Sequence, residues 1–198
     1  MRPAQNVMRP DLQRIATWVE PGMRVLDLGC GTGTLLQHLQ LQKQVDGVGV
    51  EIDNDCVIAC VTKGVNVIQQ NLEDGLALFA DKQFDVVVLS QTLQAMLNTE
   101  HILKEMARVA KRGVVSFPNF GHWTHWWSIF NGRMPVTGQM PYEWYNTPNI
   151  HLCTLNDFEA LANRLGLSIL ERCTFKEGKE IAFLPSWRSS LALYHFQS

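Results

Sequence analysis

The feature that most restricts this chain is the run VLDLGCGTG at residues 25–33. Its apolar start reads as a short buried strand that stops at Gly29, and TLLQHLQLQK from Thr34 reads as a helix. Between them Gly29, Gly31 and Gly33 stand at alternate positions, where side chains would keep a ligand away from the backbone. A turn of this kind belongs to α/β sheets, whose ligands sit beyond the carboxyl ends of the strands.

The rest of the chain keeps the same rhythm. DLQRIATWVEPG predicts a helix with Leu12, Ile15, Ala16 and Val19 on one face, ended by Pro21-Gly22. DGVGVEI, VNVIQQ, FDVVVLS and GVVSFPN predict strands; NDCVIACVTKG, GLALFA, TEHILKEMARVAKRG and TLNDFEALANRLG predict helices, the last capped by Thr154 and closed by Gly166. LSILERCTF and SSLALYHF predict two final strands. The expected fold class is α/β: a doubly wound, seven-stranded, mostly parallel sheet with helices on both faces and an antiparallel C-terminal strand. A length of 198 residues gives one domain, 1–198, with little chain to spare. Cys56 and Cys60 read as small apolar helix residues, and Lys104, Arg108, Lys111 and Arg112, interleaved with Glu100 and Glu105, as a solvated face.

Three ligand types compete for the glycine turn. A phosphate loop needs Gly-Lys-Ser/Thr, and no lysine appears before Lys43. A dinucleotide fingerprint needs glycine where Thr34 stands. The remaining pattern has an acid, Asp27, inside the strand, which disfavours phosphate and suits an ammonium or sulfonium. Glu51, at the end of the next strand, can accept the hydroxyls of a ribose. Together they describe a pocket for an adenosine joined to a positively charged amino acid.

Composition excludes other classes. With 17 Lys+Arg against 19 Asp+Glu, the net charge of −2 does not suit nucleic-acid binding by bulk electrostatics. The fourth strand ends in Leu89-Ser90-Gln91-Thr92, without the Asn/Asp-Pro-Pro-aromatic or Pro-Cys motifs of nucleic-acid methylation, so no nucleic-acid partner is expected. No apolar run reaches about 18 residues, so no membrane partner is expected either. The start lacks a signal-peptide apolar region, and five cysteines without CxxC spacing fit a cytoplasmic location.

Residues 117–145 interrupt the rhythm. They hold Phe117, Phe120, Trp123, Trp126, Trp127, Phe130, Tyr142, Trp144 and Tyr145, half of the 18 aromatic residues. The stretch reads either as a satellite core under a long loop or, over 117–151, as a lid or partner-binding insertion.

These motifs resemble the class I S-adenosylmethionine-dependent methyltransferases over roughly residues 9–197, and that resemblance implies the cofactor, S-adenosylmethionine or S-adenosylhomocysteine. It implies cofactor contacts at Asp27, Gly29, Cys30, Gly31, Gly33, Glu51, Ile52, Asn71, Leu72 and Ser90. Asn71 stands where that superfamily usually has Asp, and its Oδ1 can still accept from an adenine amino group. MRPDL, SQTLQAM, SFPNFGHW, GRMPVTGQMPYEWYNTPNIHLCT and DFEAL are similar to the MetW family of methionine biosynthesis proteins, which implies homoserine O-acyltransferase as a partner. The family pattern begins near the second Met-Arg-Pro, so residues 1–8 are expected to be a flexible extension, with Met1 and Met8 both candidates for the native start.

No residue declares itself a catalyst, so whether the chain is an enzyme stays open. Asn119, His122, His125, Tyr142 and His151 are the polar side chains expected near the carboxyl edge, and His122, His125, Tyr142 and His151 are the candidates for a general base. His122, His125, His151 and Cys153 are zinc-ligand types without compact ligand spacing, so no metal is expected. Two functions follow: a cofactor-binding component acting with the acyltransferase, or a methyltransferase on a small-molecule or protein acceptor with 117–151 as its lid.

Overall fold

The computed structural model describes residues 8–198. The expected N-terminal extension lies, but for Met8, outside the described residues. One mixed sheet organises the chain. β1 (Arg24–Leu28) lies between β2 (Asp46–Glu51) and β4 (Phe84–Ser90); β3 (Asn66–Gln69) lies outside β2 and β5 (Ala110–Pro118) beyond β4, all parallel. β8 (Leu191–Gln197) runs antiparallel between β5 and β6 (Ser168–Lys176). The expected seven strands are present. The structure adds an eighth, the two-residue β7 (Lys179–Glu180), which gives the order β3-β2-β1-β4-β5-β8-β6-β7. Glu177 and Gly178 take φ of 49° and 79° between β6 and β7, as a two-residue type I′ hairpin turn requires.

Side-chain alternation splits each central strand between two cores. Val87 and Leu89 of β4 pack with Ile102 and Met106 of α4 (Thr99–Val109) and Phe158 of α6 (Leu155–Arg164). Val86 and Val88 pack on the other face with Ile15 of α1 (Pro10–Trp18) and Leu35, Leu36 and Leu39 of α2 (Thr34–Lys43). α3 (Asn54–Thr62) adds Cys60 to that second core; Cys56 is only half-buried. The same period places Asp27 on the face of Val25, toward α1 and α2. The chain leaves β1 outward through β2 and β3, then returns to β4 on β1's other side. The glycine turn therefore stands at the topological switch point, where two loops diverge and leave a crevice. Thr154 and Asp157 form a reciprocal capping box on α6.

Several local expectations fail for identifiable reasons. GLALFA is not a helix: Asn71 caps a 3-10 turn at Leu72–Asp74, and Gly75 takes φ 79°. Leu76 and Phe79 then plug the core, while Arg108 donates to their carbonyl oxygens at 3.0 and 2.9 Å. Arg108 also pairs with Glu105 and Asp81, so it braces this loop rather than belonging to a solvated face. The helix predicted over TEHILKEMARVAKRG stops at Val109, because Ala110 is buried opposite Phe84 and starts β5.

The aromatic stretch does not form a satellite core. Of its nine aromatic residues only Phe117, inside β5, is buried. α5 (Trp123–Phe130) buries only His125, leaving Trp126 60%, Trp127 58% and Phe130 78% exposed. α7 (Pro185–Arg188) extends this face through Trp187, whose ring lies 5.7 Å from that of Trp126. Asn119 anchors the stretch: its Nδ2 donates to the carbonyl oxygens of Ser186 and Ser189 at 3.0 and 2.8 Å, and its Oδ1 accepts from Gly121 N at 3.0 Å. Asn119→Ala is expected to cost about 2–3 kcal/mol, since the buried Ser189 carbonyl, the half-buried Ser186 carbonyl and Gly121 N–H lose their bonds; a change in the urea midpoint measures it.

Candidate functional site

The backbone of the glycine turn is folded back onto β2. Gly29 N and Cys30 N both donate to Val50 O, at 2.8 and 3.2 Å. Gly29, Gly31 and Gly33 take φ of 68°, 53° and 70°, a region that side chains rarely adopt. Their surroundings separate their roles. A Cβ on Gly29 would lie 2.6 Å from Thr92 Oγ1, and one on Gly33 would lie 2.9 Å from Cys60 Sγ. Gly31 faces open space. Two of the glycines permit close packing, and the third leaves room beside the backbone.

Two cavities straddle Gly29, which lines both. The first, of about 280 Å³, lies on the α1/α2 face against Asp27, Cys30, Gly31, Thr32, Thr34 and Ser90, with Arg9 and Leu12 above. Asp27 is 3% exposed. Burial pushes its carboxyl up to about 7; Arg9 opposes that shift and Glu51 adds to it. At this end Arg9 Nη2 donates to Asp11 Oδ2 at 3.1 Å and to Ser90 Oγ at 3.0 Å, and Gln91 Nε2 donates to Asp11 Oδ2 at 3.2 Å. Ser90 also shares a hydrogen bond with Ser116 at 3.1 Å. These contacts hold the start of α1 over the carboxyl end of β4.

The second cavity, of about 410 Å³, is lined by Glu51, Ile52, Asn71 and Leu72, with Met96 and Ile150 opposite. Such a slot between apolar side chains suits a flat ring. Gln70 also lines it, and Gln70 Oε1 is buried with no partner among the described residues. Glu51 stands between the two cavities and is already engaged. Its Oε2 accepts from Gly31 N at 2.8 Å, and its Oε1 from Ile52 N and Asp53 N at 2.8 and 3.0 Å. A carboxylate has about four lone-pair positions, so one on Oε2 is left. Asn71 Oδ1 likewise accepts from Glu73 N at 3.0 Å and keeps one position.

The structure thus brings nine of the ten expected cofactor residues around two adjoining cavities; Gly33 instead starts α2 and packs on Cys60. The candidate bases are elsewhere. His122 and His125 are buried at the start of α5, where His122 Nδ1 meets Thr124 Oγ1 at 2.6 Å and His125 Nδ1 meets Phe120 O at 3.1 Å. Burial lowers both, His122 to about 4, so they are neutral at pH 7. Tyr142 is exposed and lines neither cavity; His151 lines a third. Among the described residues no group of three or more His, Cys, Asp or Glu side chains is arranged to hold a metal ion. No helix of the described residues is long and apolar enough to cross a membrane.

Arg9, Asp11, Gln70 and Thr92 were not anticipated as site residues. Asp11 carried a readable signal: it precedes Ile15 by four residues, so it lies on the buried stripe of α1, where an acid needs a partner. Gln70 lies in QQNLEDG, the loop after the third strand that the methyltransferase resemblance turns toward the adenine, whereas Arg9 and Thr92 carry no signal, because only the tertiary fold brings them beside the glycine turn.

Residues 9–196 match the family model described as methionine biosynthesis protein MetW. The chain is 35% identical over 181 residues to the bifunctional methionine biosynthesis protein MetXA/MetW of Rhodopirellula baltica, covering 85% of this chain and 29% of that one. It is 33% identical over 106 residues to the ubiquinone/menaquinone biosynthesis C-methyltransferase UbiE of Laribacter hongkongensis, covering 48% and 41% of the two chains. It therefore spans well under half the length of these curated relatives. Among solved structures, an S-adenosylmethionine-dependent methyltransferase from Mesorhizobium loti superposes with a TM-score of 0.71 at 14% identity, covering 96% of this chain and 98% of that one. A TehB-like methyltransferase from Corynebacterium glutamicum gives 0.68 at 17%, covering 98% and 90%. At such identities these two likenesses establish the fold, a Rossmann-like class I methyltransferase fold.

Proposed function

This chain belongs to the MetW family of methionine biosynthesis proteins, and we propose that it binds S-adenosylmethionine or S-adenosylhomocysteine in the paired cavities and docks homoserine O-acyltransferase on its aromatic face. The observation that carries the cofactor reading is the pair of acids flanking Gly29. Asp27 borders the smaller, polar cavity, and Glu51 borders the larger, more apolar one.

The donor set fits the cofactor part by part. Asp27 supplies the counter-charge for an ammonium, and the open face of Gly31 gives backbone access. Glu51 Oε2 accepts one ribose hydroxyl, and accepts the second where Gly31 N releases it. Ile52, Leu72 and Met96 sandwich a ring, and the orphan Gln70 Oε1 can accept from an exocyclic amino group. S-adenosylmethionine, when bound, supplies a transferable methyl on a sulfonium; the residues here bind and orient. Isothermal titration with both ligands tests this reading. Micromolar binding of at least one supports it, and absence of heat from both at about 100 μM overturns it.

Support for the partner is the exposed ring cluster of α5 and α7, together with the relative that joins a MetXA and a MetW part in one chain. An aromatic face this open is the kind of surface that marks protein contacts, where Trp dominates binding energy. The double substitution Trp126→Glu and Trp127→Glu is expected to weaken capture of the acyltransferase at least about 30-fold, roughly 2 kcal/mol. Cofactor affinity should not change, because neither residue lines the paired cavities. Capture unchanged in the double variant would remove this face from the proposal.

One observation favours a second reading, catalysis on a small polar acceptor. A cavity of about 270 Å³ lined by Asp11, Gln91, Gln139 and Glu177 adjoins the Asp27 cavity through Arg9, which lines both. Transfer of labelled methyl groups to material in a cell extract, lost on Gln91→Ala, would establish it.

A further inference from the structure

A third cavity, of about 380 Å³, opens between the N-terminal end of α4 and the side of α6, and the reading above leaves it unused. It meets the Glu51 cavity only at Leu97, which lines both. Its floor is apolar: Leu93, Phe117 and Phe158 are buried there, with Leu161 as a wall. Its rim is charged. Glu100, Asp157 and Arg164 line it, with Arg164 Nη2 3.3 Å from Glu100 Oε2 and Lys104 paired to the other Glu100 oxygen. Two further lining residues carry buried atoms without partners among the described residues, Gln94 Oε1 and Thr99 Oγ1. Leaving such an atom unpaired costs about 1–3 kcal/mol.

We infer that this cavity is a second small-molecule site, built for an apolar α-amino acid. An apolar floor supplies affinity without orientation; the few polar groups at the mouth supply orientation. Arg164 has guanidinium donors beyond the one aimed at Glu100, and takes a carboxylate. Glu100 already holds Lys104 and Arg164, and Asp157 Oδ2 accepts from Thr154, so an ammonium answers the orphan acceptors Gln94 Oε1 and Thr99 Oγ1. A fatty acid would leave those acceptors unpaired, and a neutral hydrocarbon would use none of the rim. Rotation of Gln94 or Thr99 toward the cavity gives the orphan atom a partner on the same ligand. The volume lies at the low end of small-ligand cavities, roughly 300–1,000 Å³, which suits one amino acid better than a nucleotide. Gln94 also ties this site to its neighbour: its carbonyl oxygen accepts from Ile150 N and His151 N at 2.8 and 3.0 Å, and those two residues line the two cavities in turn. A ligand that reorients Gln94 acts on the wall opposite Glu51.

Titration of the whole chain, followed by calorimetry and by amide chemical shifts, tests this with L-leucine, L-methionine, glycine, 3-methylbutylamine and 4-methylpentanoate. The last two keep the leucine side chain and one charge each. Saturable binding of L-leucine or L-methionine is expected, with both single-charge analogues at least about tenfold weaker and glycine silent. Arg164→Glu, an exposed change that leaves the fold intact, should weaken amino-acid binding at least about tenfold and leave S-adenosylhomocysteine affinity within about twofold. Leu161→Trp, which fills the cavity, should abolish it. No saturable binding of either amino acid at about 10 mM overturns the inference. So do analogues that bind as tightly as L-leucine, or indifference to Arg164→Glu. S-adenosylhomocysteine titrated in parallel into the unsubstituted chain tests the cofactor reading separately, so either reading can fail alone.

Discussion

Glu51→Ala should weaken S-adenosylhomocysteine binding at least about 100-fold, close to 3 kcal/mol. The size comes from two losses. Hydrogen bonds to a charged group contribute about 1.5–3 kcal/mol each, and on the proposed reading the ribose hydroxyls lose the carboxylate that accepts them. The three N–H groups of Gly31, Ile52 and Asp53 also lose their shared acceptor, so the glycine turn keeps only the bonds of Gly29 N and Cys30 N to Val50 O at the end of β2. Glu51→Gln separates the two: its amide oxygen can still serve Ile52 and Asp53, while its NH2 opposes Gly31 N–H, so an intermediate loss of about tenfold is expected. Calorimetric titration of the three proteins decides. An alanine variant within about threefold of the parent would show that Glu51 organises the loop without holding ligand.

Asp27→Asn should move stability and affinity in opposite directions. The carboxyl of Asp27 is raised in the folded chain to about 7, against about 3.9 for an unperturbed aspartate. The folded form therefore holds a proton that the unfolded chain has released between those values. Stability is fully present below about pH 4, declines as pH rises toward 7, and stays at its lower level above. The full gap corresponds to roughly 4 kcal/mol at pH 8. Asparagine removes the buried charge but adds an NH2 that must find a partner, so a gain of about 1–3 kcal/mol is expected at pH 8 and little at pH 4. Denaturant midpoints at the two pH values measure it. The same substitution removes the counter-charge for a cationic ligand. In the parent, binding of such a ligand expels the proton from Asp27, so affinity should tighten up to about tenfold per pH unit below 7 and level off above. The asparagine variant should be weaker and flat across that range. Destabilisation at pH 8, or an unchanged slope, would contradict this account.

Much of this was legible in the chain itself, because period-two and period-3.6 patterns survive wherever one face is buried. VLDL, GVGVE and DVVVLS alternate between two cores and were placed correctly. The turn glycines were legible as well, since φ near 70° admits little else. What escaped notice depends on partners far away in the sequence. Leu76 and Phe79 look helical in GLALFA, yet Arg108, some thirty residues on, fixes them as plugs. Ala110 looks like the end of a helix until β4 offers it a place in the sheet. The rings of α5 have the composition of a core, and composition does not say whether a residue faces inward; among the described residues nothing covers them. Glu51 was found as an acid at a strand end, but not its prior engagement by three amides, which exists only once the turn has closed.

The position of β8 also governs the order of assembly. It follows β5 and β6 in the sequence, yet it lies between them. Until residues 191–197 emerge, β5 offers an unpaired edge on one side and β6 has no neighbour to carry it into the sheet. The parallel half, β1 to β5, is thus complete before the rest can join, and a nascent chain displays that bare edge for as long as residues 191–197 remain in the exit tunnel. Insertion of one strand between two others is a long-range pairing, the slow kind of folding step. Pairing of residues 191–197 with both neighbours joins the two halves of the sheet.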